Sequence, residues 1–118
     1  MMRAGFVLLL LGHAAVHGVM WTLPFTDAVD DMPFDPAESW LLGRRPQVGL
    51  GLAGLAAVGF VLAAFAFAVR AAWWPEVLAV SAVVSIGLMV LFLSPYWTVG
   101  IVLHAALAGY AWHAHPTA

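Results

Sequence analysis

The sequence predicts an all-α fold, an integral membrane four-helix bundle running up-down-up-down, and three observations carry that expectation. The chain has 118 residues, of which 64% are hydrophobic and only 8% charged, whereas a soluble domain carries about 25% charged residues. Four apolar stretches, at 4–23, 48–69, 76–93 and 97–113, approach the roughly 20 residues that cross a bilayer as a helix. Trp21, Trp73, Trp74, Trp97 and Trp112 all fall at the ends of those stretches, where amphipathic rings settle at a membrane–water interface. The length fits one domain, 1–118.

Composition also excludes. A formal net charge of −2 gives no basic surplus for nucleic acid. Without cysteine there is no disulfide, thiolate zinc site or iron–sulfur cluster. The expected partner is the lipid bilayer.

The first stretch contains "GHAAVHGVMW", with His13 and His17 four residues apart in an apolar run. Arg3, "GFVLLLLG" and the small residues after it also have the layout of a secretory signal. The run continues past a signal's usual length, which favours a permanent span. At about 100° per residue, His13, His17 and Met20 share one face with Phe6.

The loop at 24–46 holds five of the six acidic residues, Asp27, Asp30, Asp31, Asp35 and Glu38. Within it, "DPAESWLLG" predicts a short interfacial helix over 36–42. Asp35 is read as its cap, with Pro36 at the first position, Glu38 completing a capping box and Gly43 as the stop. Phe34, Trp40, Leu41 and Leu42 would hold that helix on the membrane surface or fold it over the bundle mouth. The acids lack the spacing of a calcium loop.

The second stretch, "GLGLAGLAAVG", carries a small-residue stripe at Gly49, Ala53 and Ala57. In the fourth stretch Ala105 and Gly109 repeat the spacing. Such stripes let helices approach closely, either within the chain or in a homo-oligomer or larger membrane complex. In the third stretch Ser81, Ser85 and Met89 line one face, and in the fourth His104 shares its face with Trp97, Gly100, Ala108, Ala111 and His115. The "SPYW" at 94–97 is a turn and helix-start signal.

Depth brings the polar residues together. At 1.5 Å rise per residue, His17 lies roughly 10 Å from the Pro24 end of its stretch, and Ser85 and His104 roughly 13 Å from theirs. In an up-down bundle these three ends share a side, so His17, Ser85 and His104 are nearly level, with His13 about one turn deeper. First and fourth helices are expected as neighbours, with axes roughly 8–10 Å apart. An ionisable residue inside a span is a functional candidate because burying it is costly. Neutral imidazole is a common ligand for Zn, Cu and Fe, haem iron included. The same residues also join helices through His–Ser or His–backbone hydrogen bonds. No Asp or Glu lies within a span away from its ends, which argues against a cation-coupled pump and removes the base of an HExxH hydrolase. His113 and His115 fall near the headgroups.

The opening "LLLGHAAVHG", the "WWP" turn and the four-span plan resemble small bacterial membrane proteins with a Gly-His pair in the first helix. That resemblance covers the hydropathy plan and a few residues, leaves out "DPAESWLLG", and implies the fold without a particular activity.

The leading expectation is therefore a membrane bundle binding a metal ion or haem through His17 and His104, with His13 alternative or additional. Its rivals are an accessory or assembly subunit packed against partner membrane proteins, and an enzyme using a histidine as general base on a lipid-soluble substrate. No catalytic residue is assigned. The positive-inside count ties, with Arg3 and Arg70 on one side and Arg44 and Arg45 on the other. Acids close to Arg44 and Arg45 tip the expectation to a plasma-membrane protein with both termini cytoplasmic.

Overall fold

In the computed structural model, residues 2–22, 25, 35, 37–92 and 98–114 are described. They form four helices, α1 Met2–Thr22, α2 Pro46–Ala68, α3 Trp74–Leu91 and α4 Thr98–Ala114. Between α1 and α2 lies a small antiparallel hairpin, β1 Glu38–Ser39 and β2 Gly43–Arg44. Three of the helices, α1, α2 and α3, are long and apolar enough to cross a membrane, and α4 is apolar but shorter. Each helix boundary falls within about two residues of its apolar stretch, because the same runs that lack charge also lack internal proline. The turn expected at 94–97, most of the acidic loop and His115 lie outside the described residues.

Prolines start the helices where no amide donor is needed: Pro46 opens α2 and Pro75 sits in the first turn of α3. The end of α2 is a Schellman motif. Ala71 N–H donates to the Ala66 carbonyl at 2.8 Å and Arg70 N–H to the Phe67 carbonyl at 3.2 Å. Arg70 occupies the left-handed position, φ 61°, that glycine usually takes.

A cluster of rings fixes the helix directions. Phe6 near the start of α1 meets Phe67 at the end of α2 (4.7 Å between centroids) and Trp74 at the start of α3 (6.2 Å). It also meets Tyr110 near the end of α4, at 5.5 Å. Starts of α1 and α3 thus sit with ends of α2 and α4, so direction alternates along the chain. At the other end, Trp21 lies on Gly49, where an added Cβ would stand 2.6 Å from the indole Cδ1. Ala53 is buried beside that contact, which gives the stripe at Gly49 and Ala53 an intrachain partner, α1. Ala105 and Gly109 are exposed.

Close backbone packing runs between consecutive helices, α1 on α2, α2 on α3 and α3 on α4. The expected close pairing of α1 with α4 is replaced by a wider seam, bridged by side chains. The reason is bulk: imidazole and aromatic rings, not glycine or alanine, fill the space between those two helices.

The short interfacial helix expected over 36–42 is not formed; residues 38–44 make the hairpin instead. Two turns of helix gain little by themselves, and the local polar groups find better partners. Asp35 Oδ1 accepts the Ala37 N–H at 2.9 Å, making an Asx turn, while its Oδ2 pairs with Arg44 Nε at 3.0 Å. Ser39 Oγ accepts the Leu41 and Leu42 N–H groups (3.3 and 3.2 Å) and donates to the Leu91 carbonyl at 2.6 Å. Trp40 Nε1 donates to the Val90 carbonyl at 2.7 Å. The hairpin thereby caps the C-terminal carbonyls of α3, which have no partner within their own helix. Gly43, read as a helix stop, keeps the left-handed conformation that reading required, φ 72°, but uses it in the hairpin.

Candidate histidine site

The site is built from one shared local motif. His13 Nδ1 lies 2.9 Å from the Leu9 carbonyl, His17 Nδ1 2.9 Å from the His13 carbonyl, and His104 Nδ1 2.6 Å from the Gly100 carbonyl. A carbonyl only accepts, so each Nδ1 carries the proton and each Nε2 presents a lone pair. The i−4 spacing orients all three rings along their own helices. Three imidazoles are thus held in the tautomer that a metal ligand needs, with the outer nitrogen tied to a carbonyl as in known metal sites.

The rings converge across the α1–α4 seam. His13 and His104 have centroids 5.0 Å apart with planes at 75°, and His17 and His104 are 5.5 Å apart at 78°. Phe60 of α2, fully buried, forms the floor, at 5.9, 5.8 and 5.4 Å from His13, His17 and His104. Trp21 stacks on His17 at 5.8 Å with planes 20° apart. A groove of about 320 Å³ opens beside the rings, lined by Gly12, His13, His17, Met89, Gly100 and His104 among others.

The three Nε2 atoms have different fates. His17 Nε2 accepts the Ser85 hydroxyl proton at 2.6 Å, joining α1 to α3. That is the interhelical His–Ser bond the sequence left open beside the ligand role. His104 is only 3% exposed, and its Nε2 is buried without a hydrogen-bond partner among the described residues. His13 is half-buried on the groove wall.

Two imidazoles bound through Nε2 to one tetrahedral ion at about 2.0–2.1 Å have ring centres roughly 5 Å apart. The His13–His104 spacing has that dimension. A bis-histidine haem holds its rings on opposite faces of a macrocycle and needs a wider gap than either pair provides. Among the described residues, no three His, Asp or Glu side chains already converge as a metal cage.

Ser85, His17 and the His13 carbonyl also form a nucleophile, base and orienter in sequence. Ser85 is wholly buried, however, and does not line the groove, so the pair serves as a bond between helices.

Sequence reasoning places His17, Ser85 and His104 at one level with His13 about one turn deeper, and the structure brings the three rings and Ser85 into one cluster. It did not find Phe60 as the floor. The signal was there: Phe60 is the one large side chain among the buried residues of α2, the others being Gly49, Ala53, Ala56, Ala63, Ala64 and Ala66. Nor did it foresee Met89 against Gly100, a contact between helices that periodicity within each cannot reveal. His113 is exposed at the end of α4, away from the site. Comparison of the chain with protein-family models, with curated proteins and with solved structures finds no match.

Proposed function

We propose that this chain is an integral membrane protein, an up-down-up-down bundle, that holds a transition-metal ion among the histidines of its α1–α4 seam. The observation that carries the reading is His104 Nε2, a buried lone pair without a donor among the described residues. Leaving a polar group unsatisfied in the interior costs about 1–3 kcal/mol, and a bound ion would offset that cost. His13 is the natural second ligand, because its ring is nearest and its Nε2 is not engaged by Ser85. His17 becomes a third ligand only by releasing Ser85. The ring spacing favours an ion over haem.

The membrane reading rests on the outward faces. Leu8, Leu55, Val80, Val83, Val99 and Val102 are each more than half exposed, and hydrocarbon rather than water suits such a surface. In this reading both termini face the cytoplasm of a plasma-membrane protein. The Arg count ties, and the orientation rests on the ion pair of Arg44 with Asp35; tags on both termini should report the cytoplasmic side.

The test is elemental analysis with an optical spectrum on protein freshly extracted from membranes, beside the His13→Ala, His104→Ala double variant. Close to one transition-metal ion per chain, lost in the variant, is expected. Equal metal content in the two proteins rejects the site.

A further inference from the structure

We infer that the ion is cuprous copper and that Met89 supplies a thioether ligand beside His13 and His104; this rests on the metal-site reading above. Met89 is buried and lines the same groove as both histidines. Its sulfur lies against the backbone of α4, where a Cβ added at Gly100 would stand 3.0 Å from Sδ. The Gly100 carbonyl is also the acceptor for His104 Nδ1. The α3 thioether therefore reaches the groove one turn of α4 from His104, and glycine at 100 is what leaves the sulfur its room. Methionine's three rotatable bonds let Sδ swing toward the ring.

The donor set selects the ion by softness and by charge. Thioether with imidazole suits Cu(I), whereas sites for harder divalent ions use carboxylate and water oxygens. No Asp or Glu lines the groove among the described residues, and the chain has no cysteine. All three donors are neutral, so the ion's charge stays uncompensated. The cost of taking an ion out of water rises steeply with its charge. An apolar layer with neutral ligands consequently discriminates against a divalent ion and admits a monovalent one. Cu(I) is also content with two or three ligands, the number this seam offers.

The experiment loads the full chain in detergent, anaerobically, with Cu(I) in ascorbate or with Zn(II), each against a competing chelator. Copper X-ray absorption then reads the donor atoms. Tight Cu(I), weak Zn(II) and one sulfur beside two nitrogens are expected. Met89→Leu, which conserves volume, should remove the sulfur signal and weaken Cu(I) by more than about tenfold, the least expected even for a lost supporting partner. Met20→Leu should do neither. Cu(I) bound without sulfur, or sulfur that persists in Met89→Leu, overturns the assignment of Met89. Zn(II) held as tightly as Cu(I) overturns the copper inference and leaves the metal site standing. Failure to bind either ion overturns both.

Discussion

His17 Nε2 and Ser85 Oγ stand 2.6 Å apart in the interior, 68 residues apart in sequence, and bond the first helix to the third. Neither polar group has water to fall back on, since His17 is 4% exposed and Ser85 fully buried. Ser85→Ala strands the imidazole lone pair and is expected to destabilise the bundle. A double-mutant cycle with His17→Leu should return a coupling of about 0.6–1.7 kcal/mol. Reversible unfolding in detergent mixtures measures it, and a coupling near zero would show that the bond does not hold the helices together.

His104 should behave in the opposite sense. Its Nε2 is buried without a partner among the described residues, so His104→Leu is expected to stabilise the metal-free protein by about 1–3 kcal/mol. The same change should abolish metal binding. Thermal unfolding of chelator-treated protein reads the first effect and metal content the second. Loss of stability in the metal-free variant would mean that the ring is retained for its shape.

Gly49 is where Trp21 of α1 lies directly on the backbone of α2. Gly49→Ala places a methyl 2.6 Å from the indole Cδ1 and 2.9 Å from its Nε1, and overpacking of this kind costs roughly 1–3 kcal/mol. Gly51→Ala, with nothing within 4 Å of its added carbon, is the matched control. A lowered melting temperature and altered tryptophan emission are expected only at Gly49.

Arg70 pays a conformational cost that glycine would not. It sits at φ 61° in the Schellman turn closing α2, where a side chain adds about 1–2 kcal/mol of strain. Arg70→Gly should therefore stabilise the fold by about 1 kcal/mol in unfolding measurements. If Arg70 also sets orientation, the variant should shift a share of the molecules to the inverted topology, read by terminal tags.

The helices were legible because one property, the absence of charge away from the first turn of each helix, marks both their interiors and their ends. The level of His17, Ser85 and His104 was legible for a related reason: helical rise is constant, so sequence distance from a turn converts to depth. The hairpin at 38–44 was not. Asp35 and Ser39 are cap residues by type, yet each satisfies turn amides and one distant group, Arg44 for Asp35 and the Leu91 carbonyl for Ser39. No local pattern distinguishes a cap of its own helix from a cap of another. The seam escaped for the same reason. Connectivity predicts close pairing of α1 with α4, but side-chain size at His13, His17, His104, Phe6 and Tyr110 holds them apart.

That seam has a consequence for how the protein is made. A chain leaves the ribosome from its amino terminus, and here each new helix finds its partner in the one just before it. α1, α2 and α3 can assemble in order, with the His17–Ser85 bond already formed, while His13 still lacks the ring that faces it. The paired imidazoles come into being only when the last helix arrives beside the first. If the seam holds the proposed ion, loading is coupled to completion of the polypeptide, and a truncated product that ends before α4 would be packed without a site.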